Sequence, residues 1–153
     1  MRAAVLALLL FAGMPSNSRT SWMRPDAFRL TIGMPRAQVM RALEKWEPKK
    51  GRTANELVVD YTDDKALTLE FREGRLTSIR FELVAYVNAI RGAFDEEKSW
   101  LRDAHGAPRM ATKSILVYDN TLPNVMVVVN DDPSTEQGKK GLGVLAVRYY
   151  DPR

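Results

Sequence analysis

Leu67-Thr68-Leu69-Glu70-Phe71-Arg72-Glu73-Gly74-Arg75-Leu76-Thr77-Ser78-Ile79-Arg80-Phe81-Glu82-Leu83 alternates apolar and polar side chains on both sides of an acid-Gly turn. A period of two marks a half-buried strand, so the stretch reads as an antiparallel hairpin with one face toward a core. For Leu67, Leu69 and Phe71 to share a face with Thr77, Ile79 and Phe81, paired positions must sum to an even number. A slip of one residue would turn one whole set to solvent. An odd loop meets that condition, and the expectation is a three-residue loop, Arg72-Glu73-Gly74, with Gly74 as the left-handed residue of a bulge.

Upstream, Pro35-Arg36-Ala37-Gln38-Val39-Met40-Arg41-Ala42-Leu43-Glu44-Lys45-Trp46 carries apolar residues at 39, 40, 43 and 46, a helical stripe. Pro35 suits the first helical position, where a missing N–H costs nothing, and Pro48 ends the helix. Glu56-Leu57-Val58-Val59-Asp60-Tyr61 is strand-like, with Leu57, Val59 and Tyr61 on one face. The same order follows downstream. Asp95 is placed as N-cap of a helix running to Ala104, ended by Gly106 and Pro108. Strand-like runs follow at 114–118, 124–129 and 144–149, with the polar stretch 131–141 as a longer hairpin turn. Ile79-Arg80-Phe81 is matched with Val147-Arg148-Tyr149, and Tyr61 with Tyr118. The expected fold class is therefore α+β: two tandem units, each a helix plus a three-stranded antiparallel sheet (α-β-β-β twice), at 30–84 and 93–150 within one domain, 19–153. One unit is too small to bury much core alone, whereas two can pool their sheets.

Gly33-Met34-Pro35-Arg36-Ala37-Gln38-Val39, the amphipathic helix after it, and the hairpin with Phe71, Glu73, Gly74 and Leu76 resemble the SmpA/OmlA (BamE-like) family of outer-membrane assembly lipoproteins. The tandem layout is also similar to that of β-lactamase inhibitory protein. The resemblance is good over residues 30–83 and reaches 93–150 only in element order. Pro35 departs from it by replacing a capping Ser/Thr, and no lipobox Cys is present. What the resemblance implies is a non-catalytic, extracytoplasmic binding module.

Composition narrows the choices further. The chain has 153 residues, 45% hydrophobic and 27% charged, with one His and no Cys. That excludes wholesale disorder, disulfide scaffolds, thiolate metal sites and multi-histidine sites. Met1-Arg2 precedes an apolar run of about 10 residues ending at Gly13-Met14-Pro15, the pattern of a secretory signal peptide over 1–18. The run is shorter than the roughly 20 residues a spanning helix needs. A retained anchor or a buried core helix are the alternatives. Export predicts a periplasmic or secreted protein without a lipid anchor. A net charge of +4 is spread among acids, with clusters only at Lys49-Lys50-Gly51-Arg52 and Lys139-Lys140. Nucleic-acid binding needs a continuous basic track, so it is not expected. Weak contact with an anionic membrane surface stays open.

Nothing in the sequence asks for a cofactor or a metal, and no catalytic residue is assigned. His105 reads as a helix-end residue favourable to the dipole, since Asp103, two residues away, faces elsewhere on a helix. Asp63-Asp64 and Asp131-Asp132 read as turn residues, lacking the oxygen-ligand spacing of a calcium loop. Glu70, Arg72, Arg80 and Glu82 share a sheet face and are expected to pair across strands. The protein-binding candidates are Met126, Val128, Arg148, Tyr150 and Arg80. With Val125, Val127, Val129, Leu145, Val147 and Tyr149 inward, Met126, Val128, Ala146, Arg148 and Tyr150 face out, an apolar set flanked by Arg and Tyr. Either another protein covers that face or residues 22–30 of this chain do. The functional expectation is an exported protein-binding module of the cell envelope linked to outer-membrane assembly or maintenance. The alternative is a secreted proteinaceous inhibitor that lays its sheet face on an enzyme.

Overall fold

β3 (Lys65–Arg72) and β4 (Arg75–Tyr86) pair as the expected antiparallel hairpin in the computed structural model, which describes residues 18–121 and 123–153. The turn differs from the expectation. Its loop is two residues, Glu73-Gly74, both at positive φ (52° and 75°), the geometry of a type I′ turn. The parity condition is met by a bulge instead: Leu69 pairs with Ile79 and Glu70 with Ser78, but Phe71 pairs with Leu76, leaving Thr77 as the extra residue. Leu76 rather than Thr77 therefore joins the buried face.

The two tandem units do not form. Around the hairpin lie β1 (Lys49–Lys50), β2 (Glu56–Thr62), β5 (Met110–Ala111), β6 (Ile115–Tyr118), β7 (Asn124–Asn130) and β8 (Leu142–Tyr150). All join one eight-stranded antiparallel sheet in the order β1-β2-β3-β4-β8-β7-β6-β5. Only three helices accompany it among the described residues: α1 (Arg36–Ala42), α2 (Val87–His105) and the single turn α3 (Glu136–Lys139). Residues 78–86 of β4 pair continuously with 142–150 of β8. The segments read as equivalents, Ile79-Arg80-Phe81 and Val147-Arg148-Tyr149, are thus direct neighbours in the sheet. The physical reason is edge removal: two long apolar strands left at separate edges would each expose an open hydrogen-bonding ladder, and their pairing closes both. The edges that remain, β1 and β5, are two residues long, and Lys49-Lys50 of the first basic cluster forms β1.

The second helix begins at Val87, directly after β4, so Asp95 is mid-helix and not its N-cap. Its buried stripe is Ile90, Ala93, Phe94, Glu97 and Leu101, with Gly106 at φ 78° ending it where expected. α1 stops at Ala42 and passes into a 3-10 turn, Glu44–Trp46, with Pro35 as N-cap. Val39 and Leu43 are buried, but Met40 is exposed.

The core lies between one face of the sheet and a layer made of α2 and residues 20–46. Two register rows carry it: Leu57, Leu69, Ile79, Tyr149 and Val125, then Val59, Leu67, Phe81, Val147 and Val127. Residues 22–30, which include the 3-10 turn Pro25–Phe28, pack on this inner face. Trp22 stacks on Tyr61 (5.7 Å between ring centres) and meets Phe81 edge-on (5.8 Å), while Phe28 contacts Tyr61, Phe81 and Trp46. The idea that residues 22–30 cover the outer face is thereby corrected. The signal-peptide reading falls on residues 1–17, outside the described residues, and on Ser18. Among the described residues no helix is long and apolar enough to cross a membrane.

Candidate protein-binding face

The outer face of the sheet is set by the same registers. One row crosses the full width, from Lys49 through Thr68, Arg80, Arg148 and Met126 to Met110. The next row passes from Glu82 through Ala146 and Val128 to Ile115. All five candidate residues, Arg80, Met126, Val128, Arg148 and Tyr150, therefore stand on one face. The residues lying opposite inward-facing ones are fixed by strand alternation, so this grouping follows from the period-two pattern.

The face divides into two parts. Toward β6 and β7 it is apolar. Val128, Met126 and Ala146 are half-buried by their own neighbours, and none of them belongs to the main core or packs against it. Val117 is buried at 4% exposure yet also lies outside that core, held between Met126 and Met110 in the register. Met110, paired with Val117, extends the patch and is exposed. Sequence reading missed Val117, Ile115 and Met110. A signal was present: Ile115-Leu116-Val117-Tyr118 is apolar on both faces, which marks a strand with both sides shielded from water.

Toward β3 and β4 the face is charged. Arg80 and Arg148 are direct cross-strand partners, a like-charge placement that costs stability alone. Each is compensated. Arg80 Nε lies 2.8 Å from Glu82 Oε1, and Arg148 Nε donates to Ser78 Oγ at 2.8 Å while its Nη2 lies 3.6 Å from Glu70 Oε2. The Arg148 guanidinium also covers the Tyr150 ring at 4.8 Å. The expected cross-strand pairing is corrected in detail: Arg80 and Glu82 pair along one strand, Glu70 reaches across to Arg148, and Arg72 donates to the Arg153 carbonyl. These fixed, half-exposed ion pairs give a polar rim beside an apolar centre.

The remaining candidates sit where they have local tasks. His105 is the last residue of α2, with its ring between Trp100 and Tyr118, and no hydrogen bond or ion pair joins it to Asp103. Asp64 accepts a hydrogen bond from Thr62 (2.6 Å) and Asp132 from the Ser134 N–H (2.8 Å). Asp131 receives Arg91 Nε and Nη2 at 2.8 and 2.5 Å, tying α2 to the turn after β7. No group of three metal-ligating side chains exists among the described residues. No family model, no curated protein and no solved structure matches the chain. The SmpA/OmlA resemblance therefore rests on the residues quoted for it.

Proposed function

We propose that this chain is an exported, non-catalytic protein-binding module of the bacterial cell envelope, acting through the outer face of its sheet in outer-membrane assembly or maintenance. The observation that carries the reading is the half-buried apolar set Met126, Val128 and Ala146, which no core packing accounts for and which Arg148, Arg80 and Tyr150 rim. Apolar centre, aromatic and arginine rim, and charges already neutralised within the chain are the composition of a surface ready to be desolvated by another protein. Export is supported by the basic-then-apolar N-terminal stretch, and the envelope role by the family resemblance. A surface already paired internally has little attraction to offer anionic lipid beyond its loops, so membrane contact is secondary.

The test is the double substitution Val128→Asp with Tyr150→Ser. Both side chains lie off the core, so the variant is expected to stay folded, with a thermal midpoint within about 5 °C of the parent, the effect of about 1 kcal/mol in a domain of this size. Pull-down from an envelope fraction with the parent is expected to retain barrel-assembly components, and with the variant to lose them. Collapse of the variant's fold would make the face core. Retention of a single soluble enzyme instead would favour the inhibitor reading.

A further inference from the structure

A cavity of about 220 Å³ lies between residues 24–32, Trp100 of α2, Pro123 before β7 and Tyr149 of β8. Its walls are mostly apolar, built by Pro25, Leu30, Ile32 and Pro123. Trp100 closes one side, and the Arg24 guanidinium lies 3.6 Å above that indole ring. Tyr149 lines the cavity from the sheet side. It is buried at 5% exposure, and its hydroxyl has no hydrogen-bond partner among the described residues. The charges that act on this hydroxyl are Glu97, Arg24 and Asp26, and two of them, Arg24 and Asp26, line the same cavity. The phenol therefore points away from the sheet and toward the cavity.

A buried hydroxyl left unpaired costs stability that a phenylalanine at the same place would not, so its presence points to a partner from outside the chain. Water fills that role poorly, because a held water needs two to four polar partners and these walls are mostly apolar. Size sets the class of ligand. An apolar cavity of about 150 Å³ takes benzene, so this one has room for a single ring with a short substituent. Charge narrows it further. Arg24 is already committed: its Nη1 donates to the Thr20 carbonyl at 2.5 Å and lies 3.2 Å from Oε2 of Glu97. Glu97 has no exposure at all, and burial pushes its carboxyl up to about 7 against the pull of Arg24. With Asp26 repelling an anion and Arg24 a cation, a neutral molecule is favoured. Access comes from a larger cleft of about 640 Å³, which shares Arg24, Asp26 and Trp100 with the cavity and is bordered by exposed Ser21, Ser99 and Asp103.

We propose that this cavity binds a small neutral ring compound whose carbonyl or ether oxygen accepts a hydrogen bond from the Tyr149 hydroxyl, while the ring packs against Leu30, Ile32 and Trp100. A few well-placed polar groups in an apolar lining are the usual make-up of a small-molecule site. Nothing in the core has to move for it, since Met23, Phe28 and Leu30 stay packed where they are. The site is independent of the outer-face proposal, because it lies on the opposite side of the sheet.

NMR titration of the full chain with acetophenone, and in parallel with ethylbenzene, which lacks the oxygen, tests it. Saturable shifts at millimolar acetophenone are expected at the Trp100 indole, the Ile32 methyls and the Tyr149 ring, and not at Met126 or Val128 of the outer face. Tyr149→Phe keeps the ring and removes the donor. It is expected to lower the ratio of acetophenone to ethylbenzene affinity about fivefold, the worth of one net hydrogen bond, with ethylbenzene binding unchanged. Absence of saturable shifts, shifts centred on other residues, or an unaltered ratio in Tyr149→Phe overturns the site. Should Tyr149→Phe not fold, nuclear Overhauser contacts in the parent decide. Contacts from acetophenone to the Ile32 methyls and the Trp100 indole support the site, and their absence overturns it.

Discussion

Tyr149 shows how a single atom can be read for energy. Its ring fills the inner face beside Phe81 (6.1 Å between centres), but its hydroxyl is buried without a partner, and burial drives its ionisation far above the ordinary phenol range. A buried unpaired hydroxyl costs about 1–3 kcal/mol. Tyr149→Phe is therefore expected to stabilise the protein by about 1 kcal/mol, read as a higher urea midpoint with an unchanged slope. Glu73 is a second case. It takes φ 52° in the type I′ turn, a conformation that costs a residue with a Cβ roughly 1 kcal/mol and that Asn tolerates better. Glu73→Asn is expected to raise stability by about 0.5 kcal/mol in thermal unfolding. Glu97 was the residue least legible from sequence. With Asp95 as N-cap, Glu96 and Glu97 would fall in a first helical turn, whereas in the helix from Val87 Glu97 lies on the buried stripe with Ile90, Ala93, Phe94 and Leu101.

At the scale of elements, alternation proved a reliable guide and boundaries did not. The hairpin faces, the strand at 56–61 and the apolar runs at 124–129 and 144–149 all appear as strands, because a period of two leaves one set of side chains no place but the core. The start of α2 was missed by several residues. β4 runs to Tyr86 with no intervening loop, and Gly92 interrupts the helical pattern. Within a helix Gly costs about 0.5–1 kcal/mol relative to Ala. A Cβ at Gly92 would meet only the end of the Arg19 side chain, at 3.7 Å. Gly92→Ala is expected to stabilise by about that amount in chemical denaturation, and a loss instead would show the helix to be strained there.

The whole molecule joins these terms in its response to pH. Glu97 contributes stability that is present below about pH 4.5 and lost on the way to about 7. Glu96, Asp132 and Asp151 are held below their ordinary values: Glu96 by donors outweighing its burial, Asp132 chiefly by the Ser134 N–H, Asp151 chiefly by the Arg153 side chain. Their contributions are present above the ordinary carboxylate range and lost as pH falls through the depressed values. Stability is therefore expected to peak near pH 4.5 and to decline between there and about pH 7, measured by urea unfolding at a series of pH values. In Glu97→Gln the decline between about pH 4.5 and 7 should vanish while the loss at lower pH persists. A parent maximum above pH 7 would contradict the assignment.

Local pattern alone determined which side chains face together. The five outer-face candidates share a surface because they alternate with inward residues, and alternation is a property of neighbours along the chain. Pairing between distant strands is not such a property. Nothing in the periodicity of β4 or β8 names the other as its partner, and only their contact replaces two expected units by one sheet. Likewise only the folded chain brings Arg24 to Glu97 and lays residues 22–30 on the inner face rather than the outer. Burial of a charge, and what lies opposite it, arises from contacts far apart in sequence, where the balance of desolvation against attraction is set.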